Sequence, residues 1–305
     1  MLRASVGRNM NLKSKGNLLT KKSKILILGA SGMLGSSVYK GLLASGEFHV
    51  YGAVRNEKCR VELGGEIISN LNIESREEVR ALIEEVRPNV IVNCIGLIKQ
   101  LKLSSNPVAT IYVNALFPHI LEEISNSIGA RLIHFSTDCV FSGSKGNYIE
   151  TDFPDSNDLY GRTKLLGELY QKNTLTLRTS IIGHELYQKN GLLEWFLSQK
   201  ECVNGYQKAI FSGLPTTEIA SILKKYILSN PSLSGCYHLS SSPISKYELL
   251  KIIKDVYSLD TEIIPNEDLV IDRSLNCNRF INATNFNCRD WRSMIETMYL
   301  SQSAE

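Results

Sequence analysis

No stretch of this sequence is apolar for long enough to cross a bilayer, so a membrane partner is not expected. Charge of one sign is equally scarce. Against 34 Lys and Arg stand 31 Asp and Glu, and the net +3 is too small to argue for nucleic acid or a membrane surface. Paired cysteines are missing too. Cys59, Cys94, Cys139, Cys202, Cys236, Cys277 and Cys288 show no Cys-x-x-Cys spacing and no clustering with histidine. Reduced thiols in a cytoplasm are expected, and no zinc site or disulfide framework. His49, His119, His134, His184 and His238 are scattered, and nothing groups them as metal ligands. Residues 1–23 hold no acidic side chain but carry Arg3, Arg8, Lys13, Lys15, Lys21 and Lys22. With no apolar centre for a secretory signal, the segment reads as a disordered basic tail. An organelle-targeting helix or an extension upstream of Met10 are the alternatives.

What is present is the material of an ordinary globular protein. The 305 residues are 43% hydrophobic and 21% charged, enough for one large or two closely packed domains. The apolar run Lys24-Ile25-Leu26-Ile27-Leu28 suits a strand buried on both faces of a parallel sheet. Gly29-Ala30-Ser31-Gly32-Met33-Leu34-Gly35 follows at once and opens a helical pattern through Val38, Leu42 and Leu43. Gly29, Gly32 and Gly35 supply a tight turn, close backbone approach to a pyrophosphate and close helix–strand packing. Around Ser31, Met33 and Leu34 the new helix offers its free N–H groups to phosphates. A second strand, Phe48 to Val54, ends at Arg55, with no Asp or Glu in residues 50–56. An acidic residue there suits a free ribose 2′-hydroxyl and an arginine a 2′-phosphate. NADPH is therefore expected over NADH, unless Arg55 is simply exposed.

Strands over Glu66 to Ser69 and Val90 to Gly96, with helices over Glu74 to Val86 and Asn106 to Ile128, continue the alternation. A doubly wound α/β fold with a parallel sheet follows. Asn93, Cys94, Ile95 and Gly96 end the fourth strand in small residues, letting the chain pass close to a nicotinamide and its ribose. Asn114, among apolar neighbours, is expected to bridge backbone groups beside the site.

The rest is organised around Phe135 to Gly167. A buried strand, Arg131 to Phe135, opens into Ser136-Thr137-Asp138-Cys139, and Tyr160-Gly161-Arg162-Thr163-Lys164 places a phenol and an ammonium one helical turn apart. Hydroxyl, phenol and ammonium together can protonate a carbonyl oxygen. Lys164 is expected to lower the Tyr160 pKa. Taken singly, Tyr-x-x-x-Lys is a common surface spacing and Ser-Thr-Asp a common turn; their order downstream of the glycine motif favours a catalytic set.

The glycine motif, Asn93-Cys94, Ser136-Thr137-Asp138 and Tyr160-x-x-x-Lys164 together resemble the extended short-chain dehydrogenase/reductases. Within that superfamily, Ser136 to Gly143, Lys145 to Glu150 and Tyr160 to Glu168 resemble the dTDP-4-dehydrorhamnose reductase family. The resemblance runs from about residue 24 to about 295. It implies a Rossmann domain, NADPH, a nucleotide-sugar substrate and reduction of a 4-keto-6-deoxyhexose for surface polysaccharide. By the same resemblance Thr137, Tyr160 and Lys164 are catalytic, Tyr160 and Lys164 also meet the cofactor, and Thr137, Asp138 and Cys139 meet the sugar. Cys139 departs from the family, which usually has an aromatic residue there, and so does Leu97-Ile98-Lys99-Gln100. Dehydratases carry Asp-Glu after the threonine, so Asp138-Cys139 disfavours dehydration. A 4-epimerase and a non-catalytic regulatory subunit remain as alternatives.

The Rossmann domain is expected over 24–178 plus about 209–240, and a smaller substrate-binding α/β region over about 179–208 plus 241–305. In the latter, Leu192 to Leu197 reads as an apolar helix, Ser245 and Glu248 as a capping box, and Ile271 to Ala283 as the family's substrate segment. Arg273 or Arg279 could hold a diphosphate, or both could be surface residues. A homodimer is allowed but not required.

Overall fold

The central strands of the main sheet are short and buried on both faces, as a parallel sheet covered by helices requires. In the computed structural model, which describes residues 22–303 apart from 100, 101 and 188, seven strands form one parallel sheet. They are β1 (Lys24–Leu28), β2 (His49–Ala53), β3 (Glu66–Ile68), β4 (Val90–Asn93), β5 (Arg131–Thr137), β6 (Thr174–Thr179) and β7 (Gly235–His238). Their order is β7-β6-β5-β4-β1-β2-β3. The order reverses between β1 and β4, so a crevice opens beyond the carboxyl ends of these two strands. This is the expected doubly wound Rossmann sheet. Of the expected N-terminal tail, residues 1–21 lie outside the described residues, as does Gln100.

Alternation along β1 feeds two cores. Ile25 and Ile27 pack on one face with Val38 and Leu42 of α1 (Met33–Ser45) and with Ile219 and Ile222. Leu26 and Leu28 pack on the other with Val79 and Ile83 of α2 (Arg76–Val86) and with Phe117, Leu121 and Ile124 of α3 (Phe117–Ser127). Each fully buried side chain of this size contributes about 1.5–3 kcal/mol relative to exposure.

The helix expected from Asn106 to Ile128 differs in one respect. Asn106 caps it through Val108 and Ala109 N–H, and Pro107 follows at the first helical position. A π-helical stretch, Tyr112–Leu116, then interrupts it before α3. Asn114 sits in that widened turn, fully buried, accepting from Leu97 N–H at 2.9 Å and donating to Leu97 C=O at 3.0 Å. It does bridge backbone groups, and it pins the chain leaving β4.

The helix α4 (Leu159–Leu166) carries Tyr160 and Lys164, and α5 (Thr216–Ile222) returns to cover α1. Beyond them lie elements too short to read from periodicity. Ala209–Phe211 pairs with Ile244–Ser245 on one side and Ile271–Asp272 on the other. Cys202–Tyr206 pairs with Glu262–Asn266. Ser245 caps α6 (Lys246–Tyr257) by accepting from Glu248 N–H, and α7 (Trp291–Ser303) closes the described chain. In Leu192–Leu197, Leu193 and Phe196 belong to the core, while Trp195 is exposed.

Candidate active site

The glycine motif forms the turn between β1 and α1. Gly29 adopts a left-handed φ of 78°, and a Cβ there would press on Ile95 Cγ1 at 2.9 Å. At Gly35 a Cβ would fall 2.1 Å from Gly29 C=O, which no side chain can accommodate. Ser31 lies in the turn, and Gly32 precedes the helix with no side-chain cap. No acidic residue stands in the first turn, so the N–H groups around Met33 and Leu34 face the crevice without a competing anion. The opposite wall is Asn93, Cys94, Ile95 and Gly96. Asn93 accepts from Ile95 N–H and donates to His134 Nδ1, which fixes the path of this wall. Burial pushes the Cys94 thiol up to about 12, against the opposing pull of Lys164. Arg55 is exposed two residues past β2, on the side of the crevice expected to hold a ribose.

Thr137 ends β5 and caps the following turn by accepting from Cys139 N–H at 3.1 Å. Asp158 caps α4 by accepting from Gly161 N–H at 2.8 Å. These two caps bring the hydroxyl, the phenol and the ammonium together. The Thr137 hydroxyl lies beside the Tyr160 phenol and donates to Asp138 Oδ1 at 3.2 Å, and Lys164 donates to Phe135 C=O at 2.6 Å. Burial is the main cause that lowers the Lys164 pKa to about 8, with Glu168 and Cys94 pulling the other way.

One expectation fails here. Lys164 does not lower the Tyr160 pKa. Burial first, then Cys139, raises it well above the ordinary phenol value, and Asp138 and Asp158 add to this while Thr137 opposes it. The ammonium is committed to the strand carbonyl instead. Asp138 is buried, and desolvation raises its carboxyl despite Arg273 and hydrogen bonds from Cys139, Thr137 and Ser180. Cys139 lies beside the phenol with its thiol pushed up to about 12, chiefly by burial and then by Asp138.

Arg273 reaches this floor, donating from Nε to Phe141 C=O at 2.8 Å. Arg279 does not. It is exposed and stacks over Tyr237 of the edge strand at 4.6 Å, because the helix Asn278–Thr284 packs on β7.

Several contributors escaped sequence reasoning. Lys99 pairs with Asp158 at 2.6 Å and lies 5.6 Å from the Tyr160 ring centroid. Behind β5, Glu168 and Arg178 form a two-pronged ion pair at 2.8 and 2.7 Å, both almost fully buried. Ser136 and Tyr170 hydroxyls donate to the same carboxylate. Arg178 reaches His238, which bonds Tyr148 C=O at 3.0 Å, and Tyr148 stacks on Phe141 with centroids 4.1 Å apart. The network holds the loop between Phe141 and Glu150 against the sheet. Only the Tyr160 to Glu168 motif hinted at it.

A match to the family described as the RmlD substrate binding domain extends over residues 23–302. The chain belongs to that family. Methionine adenosyltransferase 2 subunit beta from Rattus norvegicus is 29% identical to this RmlD-family chain over 257 residues, 77% of the chain and 72% of the relative. The spore coat polysaccharide biosynthesis protein SpsK of Bacillus subtilis (strain 168) is 28% identical over 250 residues, 79% and 82% of the two chains. In fold, the chain is similar to dTDP-4-dehydrorhamnose reductase from Bacillus anthracis str. Ames, crystallised with NADP, at a TM-score of 0.76 and 22% identity. That alignment covers 92% of this chain and 99% of the other.

Proposed function

We propose that this RmlD-family chain is an NADPH-dependent reductase acting on the 4-keto group of a nucleotide-activated 6-deoxyhexose, in the making of a surface polysaccharide. The observation that carries the reading is the convergence of Thr137, Tyr160 and Lys164 at the mouth of the crevice beside an uncapped, glycine-started helix. The residues fit a dinucleotide. Gly29 to Gly35 would take the pyrophosphate, Arg55 a 2′-phosphate, and Asn93 to Gly96 with Tyr160 and Lys164 the nicotinamide riboside. When bound, NADPH supplies the hydride.

Tyr160 then gives its proton to the oxygen that becomes an alkoxide, and Thr137 donates a hydrogen bond to the same oxygen. Lys164 offsets the developing negative charge. The raised Tyr160 pKa keeps the phenol loaded at neutral pH, which suits proton donation. An epimerase must first oxidise its sugar with the tyrosine as base, and a firmly held proton works against that. Dehydration lacks its second carboxylate, and a thiol at about 12 does not replace it. The division into a cofactor half (24–178 plus about 209–240) and a substrate half (about 179–208 plus 241–305) belongs to this reading, with Asp138, Cys139 and Arg273 facing the sugar nucleotide.

A second reading, a regulatory subunit that keeps the cofactor site without turnover, is favoured by the likeness to methionine adenosyltransferase 2 subunit beta. NADPH oxidation, followed by absorbance with dTDP- and UDP-4-keto-6-deoxyhexoses, separates the two. Oxidation lost about 10²–10⁴-fold in Tyr160→Phe, with NADPH still bound, supports the reductase. Tight NADPH binding without oxidation by any 4-keto sugar nucleotide supports the regulator.

A further inference from the structure

Behind the cofactor wall stands a histidine that packing does not explain. His134 is fully buried in β5, opposite Asn93 of β4, on the apolar face it shares with Leu132. Its protonation state follows from its neighbours. Ile95 N–H can only donate, and it donates to Asn93 Oδ1 at 3.1 Å. The other end of that amide is therefore the donor Nδ2, and His134 Nδ1, 3.1 Å away, must accept. The imidazole proton then sits on Nε2, which is buried and has no partner among the described residues. A buried donor left unpaired is costly, and a leucine here would avoid that cost. Burial, then the nearby charge of Lys164, lowers the pKa of the ring well below 6.5, so it stays neutral.

What the imidazole supplies is an acceptor for Asn93. With that acceptor in place the amide presents Oδ1 to Ile95 and turns the chain after β4 toward the glycine motif. There Ile95 N and Cys94 C lie 3.2 and 3.3 Å from where a Cβ on Gly29 would stand. The far end of the same segment is held by Asn114 on Leu97. Lys164 is anchored separately, through the backbone C=O of Phe135. Consecutive residues of β5 thus serve different parts of the site: His134 the wall expected to meet the nicotinamide riboside, Phe135 the ammonium. A change of side chain at position 134 can loosen the first and spare the second.

We propose that His134 is a positioning residue for the nicotinamide half of the cofactor: by accepting from Asn93 it sets the path of Cys94 to Gly96. This rests on the NADPH reading of the crevice. His134 acts through Asn93 and takes no part in hydride or proton transfer.

The test compares two ligands of the full chain: NADPH, by fluorescence titration, and 2′,5′-ADP, which carries the adenosine end alone, by calorimetry. In His134→Leu, which removes the acceptor and keeps apolar bulk, NADPH affinity should fall about tenfold while 2′,5′-ADP affinity stays within about twofold. His134→Gln, whose side-chain oxygen can accept from Asn93, should recover most of the loss. Should His134→Leu not fold, His134→Met against His134→Gln gives the same contrast. Unchanged NADPH affinity in the apolar variant overturns the proposal and keeps the cofactor reading. Equal loss of both ligands overturns it too, because a general loosening of the sheet would do that. A wild-type chain that binds neither NADPH nor 2′,5′-ADP removes the cofactor reading and the proposal with it.

Discussion

Gly161 and Cys139 meet in a contact that only glycine allows: a Cβ on Gly161 would stand 2.2 Å from the Cys139 carbonyl oxygen and equally close to Ser156 Oγ. That approach seats α4 against the turn after β5 and sets the gap between Tyr160 and Thr137. Gly161→Ala must push the helix outward. Turnover should fall at least tenfold, with NADPH affinity within about threefold of wild type, because a misplacement of about 1 Å can cost 10² in rate. Steady-state kinetics beside NADPH fluorescence titration checks it. Unaltered kcat would mean the contact does not position the phenol.

Cofactor binding should depend on pH through Lys164. Its ammonium, depressed to about 8 mainly by burial, is charged below that value and neutral above it. NADPH affinity should therefore decline as pH rises through about 8. In Lys164→Arg, which keeps its charge, the decline should vanish over pH 7–9.

Stability should depend on pH through His238. Burial, then the Arg178 charge, lowers its pKa from 6.5 to about 4. Between these values the unfolded chain binds more protons than the folded one, so stability falls as pH drops from 6.5 to 4 and this contribution levels off below. From pH 7 to pH 5 the loss from this group should be about 2 kcal/mol. Urea unfolding at the two pH values would show it, and His238→Asn should flatten that part of the difference.

Removing one side of the Glu168–Arg178 pair should cost more than removing a surface ion pair. With the two side chains 0% and 3% exposed, Glu168→Gln leaves a buried guanidinium uncompensated. The expected loss is about 3–5 kcal/mol in urea unfolding. A loss below about 1 kcal/mol would show that water reaches Arg178 once the carboxylate is gone.

Much of this was legible beforehand. Ile25 to Leu28 followed by Gly29 announced the first βα unit because burial on both faces and a forced turn leave few alternatives. Tyr160 and Lys164 share a helix face, so their proximity needed only local geometry. Glu168 and Arg178 were not legible as a pair, since Arg178 reaches Ser136 and Glu168 only through the register of β6 on β5. Arg273 and Arg279 looked equivalent in sequence; which of them faces the site depends on tertiary packing against Gly143 and Tyr237. The failed expectation for the Tyr160 pKa has the same origin. Spacing placed Lys164 near the phenol, but the Phe135 carbonyl that claims its ammonium lies on a different element, the strand β5.

The loop beside the site is tied down by residues made long after it. Asn147 N–H donates to Ser274 Oγ across 127 positions, Tyr148 N–H to Ser274 C=O, and Arg273 to Phe141 C=O across 132. On a ribosome adding about 5–20 residues per second, these ties arrive on the order of ten seconds after the loop itself. A nascent chain halted near residue 260 has every strand of the central sheet and none of these clamps, so cofactor capacity should precede catalytic competence during synthesis.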